Sequence, residues 1–182
     1  MSKVTIKNLV WIDLEMTGLN AKRDRIIEIA TIVTDNYLNI LAYGPVLAIH
    51  QDNKILNSMD IWNIEQHTKT GLIDRVLQSC IKEEEAEEQT LQFLKKYVKP
   101  GSSPMCGDSV YKDRYFLLRY MPKLEQFFYY RNLDVRTIRI LAQLWRSDVK
   151  KELKKNNQNM ALQDIKNSIE ELKFYRKNFI KI

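Results

Sequence analysis

Four acidic residues occupy positions where the surrounding pattern would place an apolar side chain. Asp13 and Glu15 follow the apolar run 9–12 and are two positions apart, so in an extended chain both point to one face. Asp113 continues the apolar stripe of a helical segment. Asp164 borders the apolar stripe of a later helical segment. The chemistry that such a set suits is metal-assisted hydrolysis.

Carboxylates gathered at the edge of a core need cations to be stable there. Burying unpaired charge is unfavourable, and neighbouring carboxylates repel one another. Magnesium and manganese prefer oxygen ligands and would remove both penalties. Two such ions about 3.5–4 Å apart activate water and stabilise the leaving oxygen in phosphodiester cleavage. Spacing alone leaves an ordinary alternative, because an Asp at a strand end often caps a turn and an Asp in a helix is usually exposed.

The segments that would carry these residues are strands at first and then helices that alternate with short strands. Strands are predicted at 9–13, 25–34, 37–46, 104–107 and 133–135. The pattern is helical from residue 58 onward, with defined helices predicted at 86–98, 111–121, 137–145 and 161–176. A turn at 34–36 would join the second and third strands. This order implies an α/β domain with a mixed sheet.

Length and composition agree with a single domain that spans residues 1–182. A chain of 182 residues that are 45% hydrophobic is long enough to bury a sizeable core. Cys80 and Cys106 are too few for a disulfide framework and are predicted to be free thiols. Residues 1–8 are polar, and Asp13 interrupts the apolar run that follows. Neither a signal peptide nor a membrane span is predicted, which favours a cytoplasmic location without membrane contact.

The charge of the chain is compatible with a polyanionic ligand. A formal net charge of +6 and a pI of about 9.2 favour association with polyanions, although many basic proteins bind no nucleic acid. The charge is uneven, since 83–88 is an acidic run and 150–155 is a basic run. Each run is predicted to be a solvated helix face or loop.

The stretch 11–19, with the sequence WIDLEMTGL, resembles the first exonuclease motif of oligoribonucleases. A second motif of that family is similar to 105–114, and a third is similar to 161–165. Further similarity lies at 24–31, 59–63, 67–68, 120–122, 130–131, 133–135 and 179–181. The resemblance therefore covers almost the whole chain. Oligoribonucleases belong to a larger group of exonucleases with four catalytic acidic residues.

The resemblance implies a ribonuclease H-like exonuclease fold of the α/β class, with a mixed central sheet flanked by helices. It also implies hydrolysis from the 3′ end of very short RNAs, dinucleotides above all, with release of nucleoside 5′-monophosphates. Two divalent metal ions, magnesium or manganese, would be the cofactors. Their ligands would be Asp13, Glu15, Asp113 and Asp164. The implied partners are short RNA oligonucleotides and a second copy of the chain in a homodimer.

The substrate contacts that the resemblance implies are of two kinds. Leu19 and Trp62 would pack against the bases, with His67 nearby. Tyr130 would reach the active site from the partner subunit. The residues that would approach the 5′ phosphate are Ser109 and Arg131, close to Arg136 and Thr137. The ordinary alternatives are apolar rim residues, a surface histidine, a surface ion pair and aromatic packing in a core or interface.

One departure from the family pattern lies five residues before the last acidic ligand, where Asn159 replaces a histidine. That histidine is the expected general base, and an asparagine amide cannot accept a proton from the attacking water near neutral pH. General-base catalysis typically contributes about 10²–10⁴-fold to the rate. We expect a slow nuclease. The alternatives are a metal-dependent binder of short RNA with little turnover, and an altered residue at position 159.

Two further departures are Arg136, where a small hydroxylic residue is usual, and Tyr111, where glycine is usual. We hypothesise that Arg136 supplies an alternative contact to the 5′ phosphate. Nothing in the sequence accounts for Tyr111. A related exonuclease that acts on tRNA tails or on DNA is a further alternative, but a closed site that contains Trp62 and Arg131 argues against long substrates.

Overall fold

The computed structural model describes residues 7–149 and 160–180. Its strands are β1 Asn8–Met16, β2 Ile26–Asp35, β3 Ile40–Tyr43, β4 Leu47–Ala48, β5 Met105–Gly107 and β6 Asn132–Asp134. Its helices are α1 Asn53–Leu56, α2 Ile61–Lys69, α3 Leu72–Gln78, α4 Glu83–Leu94, α5 Tyr111–Tyr120, α6 Pro122–Phe127, α7 Val135–Trp145 and α8 Ala161–Asn178. The predicted order, strands first and then helices alternating with short strands, is confirmed.

The strands form one mixed sheet in the order β3-β2-β1-β5-β6, with β4 also paired to β2. β1 and β2 are a long antiparallel pair whose register places Glu15 opposite Glu28. β5 runs parallel to both β1 and β6. The pairing of β1 with β5 ends where Trp11 lies opposite Cys106, so β1 continues beyond its parallel neighbour. The predicted mixed central sheet is therefore confirmed.

Alternation along β1 divides its side chains between two cores, one on each face of the sheet. The even-numbered residues 10–14 lie in the larger core, which α4, α5 and α6 cover. Leu9 and Trp11 lie in the smaller core, which α8 and the first residue of α7 cover. Asp13 and Glu15 continue the series of odd-numbered residues that begins with Leu9 and Trp11. They therefore share the face on which α8 packs.

The third predicted strand, at 37–46, is much shorter in the structure. Only Ile40–Tyr43 pairs with β2 as β3. A separate two-residue strand, Leu47–Ala48, pairs with β2 further along. Pro45 lies between them and has no N–H to donate to a ladder, which explains why the run is divided.

The turn that precedes β3 lies later in the chain than the predicted 34–36. The Asp35 side chain accepts hydrogen bonds from the backbone N–H groups of Tyr37 and Asn39, at 2.8 and 2.9 Å. Leu38 adopts a left-handed backbone conformation with φ of 73°. The carboxylate of Asp35 therefore organises the turn, and β2 extends as far as Asp35.

The acidic run 83–88 is predicted to be solvated, and for two of its residues this prediction is wrong. The helix predicted at 86–98 begins earlier, so the run forms the first two turns of α4. Glu83 is 9% exposed and forms an ion pair with Arg25. Glu87 is 5% exposed and accepts a hydrogen bond from the backbone N–H of Leu124 at 2.9 Å. Both carboxylates are buried because they have partners from distant parts of the chain.

Other expectations concern thiols, membranes and the parts of the chain that the structure does not describe. Cys80 is exposed, Cys106 is buried and both are free, as predicted. None of the described helices combines the length and apolar character that crossing a membrane requires. The basic run 150–155 and Asn159 lie outside the described residues. A single domain over 1–182 and a cytoplasmic location stay predictions.

Candidate active site

Three carboxylates from two elements converge beyond the point where β1 loses its parallel neighbour. β1 carries Asp13 and Glu15, and the first turn of α8 carries Asp164. One oxygen of each carboxylate lies within 4.8 Å of the others. The start of α8 is held here because Ala161 and Ile165 are buried in the core between the helix and the sheet. The structure therefore brings three of the four predicted ligands together.

Asp113, the fourth predicted ligand, borders this cluster from the other side. It is 5% exposed on α5, and its Oδ1 accepts a hydrogen bond from the backbone N–H of Leu14 at 2.9 Å. Beyond Trp11, β1 has no pairing with β5, so this carboxylate satisfies a strand N–H that would otherwise lack a partner. After burial, repulsion from Asp113 is the largest cause of the raised pKa of Asp13.

Burial raises the pKa of all four carboxyl groups, and repulsion from others of the set adds to this effect for Asp13 and Glu15. Burial raises the pKa of Glu15 to about 8, and repulsion from Asp164 adds to this effect. Burial also raises the pKa of Asp113 to about 7 and the pKa of Asp164 to about 6. The pKa of Asp13 is raised well above its usual range, first by burial and then by Asp113. Such a cluster holds protons near neutral pH until a cation replaces them.

The donor set of the cluster fits a hard divalent cation. The grouped ligand atoms of Asp13, Glu15 and Asp164 are all carboxylate oxygens. Oxygen-only sites suit magnesium, manganese and calcium, whereas imidazole and thiolate ligands would favour zinc or copper. A divalent ion would also remove the repulsion that raises the pKa of these groups.

An open cavity of about 790 Å³ begins where β1 ends. Leu19 and Trp62, which are 67% and 62% exposed, line it together with Lys112. The loop that carries Leu19 is tightly packed, because a Cβ on Gly18 would lie 2.3 Å from a carboxylate oxygen of Asp24. Apolar and aromatic side chains beside a lysine suit the flat bases and negative phosphates of a nucleotide.

His67 is buried on α2, the helix that also carries Trp62, and is not a surface histidine. Its Nε2 lies 3.3 Å from the carbonyl oxygen of Met16, and its Nδ1 has no hydrogen-bond partner among the described residues. Burial lowers the pKa of His67. The contact with Met16 ties α2, which also carries Trp62, to the last residue of β1.

The residues predicted to approach the 5′ phosphate lie around the connection between β5 and α5. Ser109 has a left-handed backbone conformation, with φ of 58°, and its N–H donates to Oδ1 of Asp134 at 3.0 Å. The same oxygen accepts from the backbone N–H of Arg136 and so caps α7. The Arg136 side chain donates to Oδ1 of Asp108 at 2.7 Å. Thr137 lines a second cavity of about 590 Å³.

Tyr130 and Arg131 form an exposed pair on the segment before β6. Nε of Arg131 donates to the Tyr130 hydroxyl at 2.9 Å, and the guanidinium lies 5.3 Å from the ring centroid. Tyr130 is 69% exposed. Arg114 of α5 fixes the backbone of this segment by donating to the carbonyl oxygen of Tyr130 at 2.6 Å. The segment is therefore anchored while both side chains face outward.

An ion-pair network beside the cluster was not predicted from the sequence. Arg139 on α7 donates to Oδ2 of Asp108 at 2.7 Å and to Oε1 of Glu171 on α8 at 2.6 Å. Repulsion from Asp108 contributes to the raised pKa of Asp13 and of Asp164, so Arg139 balances charge at this edge of the site. Asp108 and Glu171 lie 31 and 32 residues from Arg139 in the sequence, so no local pattern predicts these ion pairs.

Glu28 was also missed, although the sequence contains a signal for it. It interrupts the apolar run of β2, lies opposite Glu15 and is fully buried. Its carboxylate forms an ion pair with Arg75 of α3. A charged residue inside an otherwise buried strand is the feature that would have marked it.

Comparison with known proteins identifies the family whose sequences this chain matches. Residues 10–172 match the family model described as Exonuclease. An oligoribonuclease from Haemophilus ducreyi is 57% identical over 182 residues, which is 100% of each chain. Oligoribonucleases from Acinetobacter baylyi and Coxiella burnetii are 55% and 57% identical and cover 98% and 96% of this chain and of their own lengths.

Solved structures share the fold at low sequence identity. Exonuclease I from Methylocaldum szegediense matches with a TM-score of 0.69 and 17% identity, over 95% of this chain and 41% of that chain. The zinc-bound complex of E. coli ExoI with single-stranded DNA matches with a TM-score of 0.69 and 13% identity, over 96% and 41%. The chain therefore spans less than half the length of these exonucleases, and the predicted exonuclease fold is confirmed.

Proposed function

Because the chain belongs to the oligoribonuclease family of exonucleases, we propose that it removes nucleotides from the 3′ end of very short RNAs. Dinucleotides are the preferred substrates, and nucleoside 5′-monophosphates are the products. One observation carries the proposal. The carboxylates of Asp13, Glu15 and Asp164 converge near the end of β1, and the cavity lined by exposed Leu19 and Trp62 begins at Thr17, two residues after Glu15. The chain therefore leads directly from a hydrolytic cluster to a surface for bases.

Two divalent cations, magnesium or manganese, belong to the proposed site. Asp13, Glu15 and Asp164 would hold them, with Asp113 as the fourth ligand. When bound, such ions activate water and stabilise the charge on the leaving oxygen. The carboxyl groups contribute by giving up their protons, which supplies the negative charge that the cations require.

The bases of the substrate are held by Leu19 and Trp62 through apolar contact and stacking. Stacking has little sequence preference, because every base has a π face. His67 supports this surface by tying α2, which carries Trp62, to β1. The cavity of about 790 Å³ is within the range of about 300–1,000 Å³ that is typical of small-ligand sites.

The 5′ phosphate of the substrate approaches Ser109, Arg131, Arg136 and Thr137. Charge-assisted contacts to a terminal phosphate favour a substrate whose two ends are both inside the site. Arg136 already binds Asp108, so a phosphate there competes with a carboxylate for the same guanidinium. Preference for very short RNA follows from recognising both ends at once.

A homodimer completes the site in this proposal, with Tyr130 reaching the active site of the partner. The support is an apolar surface on α7, where Ile140, Leu144 and Trp145 are 47%, 71% and 68% exposed. Apolar patches of this kind mark interfaces in soluble proteins. Tyr130 is itself exposed, and Arg114 of α5 anchors its backbone carbonyl.

Asn159 makes the proposed enzyme slow rather than inactive. The amide can hydrogen-bond the attacking water but cannot take its proton, so the proton leaves by another route. The alternative of a binder without turnover is not favoured, because the relatives that match the whole chain are oligoribonucleases. The four acidic residues of a hydrolytic site are all present as well.

A length series of 5′-phosphorylated RNAs tests this function. Initial rates with manganese would be compared for oligomers of two, three, five and ten nucleotides, with the DNA dinucleotide of the same sequence as a control. We expect the RNA dinucleotide to be cleaved fastest, with nucleoside 5′-monophosphates as products. Equal rates on the longest RNA, or faster cleavage of DNA, would contradict the proposal.

A further inference from the structure

Glu28 is a buried carboxylate that the proposed chemistry does not use. It lies in β2, it is fully buried, and its register position is directly opposite Glu15. Directly opposed residues of an antiparallel pair project from the same face of the sheet. Glu28 therefore shares the face of Asp13 and Glu15, on which α8 packs. A charge buried there requires specific partners.

The two oxygens of Glu28 have different partners. Oε1 accepts a hydrogen bond from Nη1 of Arg75, and Oε2 accepts one from the backbone N–H of Ala161 at 3.2 Å. Ala161 is the first residue of α8, and the preceding Met160 supplies no side-chain cap. Glu28 therefore provides, from the sheet, the acceptor that a capping side chain usually provides. Its negative charge also suits the positive end of the helix dipole.

This anchor acts on the turn that carries Asp164. Asp164 follows Ala161 by three residues, and its N–H donates to the carbonyl oxygen of Met160 at 3.1 Å. The hydrogen bond to Glu28 thus adds a polar anchor to the burial of Ala161 and Ile165, which hold the same turn against the sheet. We propose that Glu28 is a positioning residue, which anchors the start of α8 so that Asp164 meets Asp13 and Glu15. Arg75 is the counter-ion that permits this burial.

The inference rests on the metal site proposed above, and its test includes a measurement made without metal. Glu28→Met removes the acceptor at similar volume, and Glu28→Gln keeps one acceptor oxygen for Ala161. A matched control is Glu87→Met, because Glu87 is also buried and accepts from Leu124 N–H in the first turn of α6. Hydrogen exchange of the amides at 163–165 would be followed in metal-free protein. Manganese affinity would be measured by calorimetry.

We expect Glu28→Met to speed amide exchange in the first turn of α8 at least tenfold and to weaken manganese binding by about 10–100-fold. Glu28→Gln should recover part of both losses. Glu87→Met should lose thermal stability but leave the exchange at 163–165 and the manganese affinity within about twofold of the parent. The reason is that α6, whose first turn Glu87 binds, carries no proposed ligand. If Glu28→Met and Glu87→Met behave alike in both measurements, the proposal is overturned.

Two further outcomes remain decisive. Should Glu28→Met fail to fold, Arg75→Met replaces it, since that variant leaves the carboxylate but removes its ion pair. The proposal then predicts faster exchange at 163–165, and unchanged exchange would overturn it. If the parent protein binds no manganese, the proposed metal site fails. Exchange at 163–165 still decides whether Glu28 anchors α8.

Discussion

The carboxylate of Asp113 accepts a hydrogen bond from the backbone N–H of Leu14 at 2.9 Å, which joins α5 to the open edge of β1. β5 no longer pairs with β1 at this point, so a helix side chain takes the place of a strand partner. One residue thus satisfies the backbone of the strand that carries Asp13 and Glu15, and brings a further negative charge to them. Structural and chemical roles are combined in Asp113.

Asp113→Asn separates these two roles. The amide oxygen still accepts from Leu14, but the negative charge available to a cation is lost. We expect the hydrolysis rate to fall by at least about 10–100-fold, which is the typical loss when an outer partner of a metal ligand is removed. Asp113→Ala, which also leaves the N–H of Leu14 without its partner, should be less stable than Asp113→Asn by about 1–3 kcal/mol. Urea unfolding of metal-free protein measures that difference. Equal stability of the two variants, or full activity of Asp113→Asn, would refute this division of roles.

The stability of the metal-free protein should fall as pH rises through the neutral range. The pKa values of Glu15, Asp113 and Asp164 are raised to about 8, 7 and 6 in the folded state. In the unfolded chain these groups release their protons near about pH 4. Between these limits the folded state binds more protons than the unfolded state, so deprotonation at higher pH favours unfolding.

Calorimetry at pH 6, 7 and 8, with chelator or with magnesium, checks this expectation. Magnesium at one hundred times its Kd would add about 2.7 kcal/mol to the free energy of unfolding, and its affinity should rise with pH as the ligands lose protons. Glu15→Gln is the control, because it lacks the carboxyl group whose pKa is raised to about 8 and should show a weaker pH dependence. Chelated parent protein that is more stable at pH 8 than at pH 6 would contradict this expectation.

Trp62→Ala should weaken substrate binding without destabilising the protein. Stacking on a base is worth about 1–3 kcal/mol, so we expect KM for the dinucleotide to rise by about 5–150-fold. Trp62 is 62% exposed, so the free energy of unfolding should change little. Ile61→Ala is the matched control, since Ile61 is 76% exposed on the same helix. If both variants raise KM equally, a general effect on α2 and not stacking by Trp62 is responsible.

Mixing two inactive variants tests whether Tyr130 acts in the partner's site. Tyr130→Ala and Asp13→Ala homodimers should each be nearly inactive. Random re-assortment makes about half of the dimers mixed, each with one complete site, so about one quarter of the parental rate should return. The control is a mixture of Asp13→Ala with Asp113→Ala. Each of these substitutions removes a proposed metal ligand from the subunit's own site, so no mixed dimer has a complete site. Recovery in the control, or none in the test mixture, would exclude the shared site.

The elements that carry the four acidic residues could be predicted because their patterns are local. A short apolar run marks β1, and apolar stripes of helical period mark α5 and α8, so Asp13, Asp113 and Asp164 were assigned to elements that the structure contains, and Glu15 to the end of the first of them. Local patterns failed where the chain departs from regular pairing. β3 ends early because Pro45 follows it, and a two-residue strand such as β4 is too short to show a period.

Contacts between distant residues could not be predicted from one sequence. Glu28 binds the backbone of Ala161, 133 residues away, and Glu87 binds that of Leu124, 37 residues away. Read locally, a glutamate in an acidic run belongs in solvent, and only the tertiary partner reverses that preference. The same reason hides the role of Arg139, whose partners lie on two other segments of the chain.

We expect this chain to be a nuclease that works without the general base usual in its family. The decisive measurement is hydrolysis of a 5′-phosphorylated diribonucleotide with manganese, with the parent, Asn159→His and Asp13→Ala compared side by side. We expect slow but measurable cleavage by the parent and none by Asp13→Ala. Asn159→His should be faster by up to about 10²–10⁴-fold. A parent protein that binds the dinucleotide but cleaves it no faster than Asp13→Ala would contradict the claim.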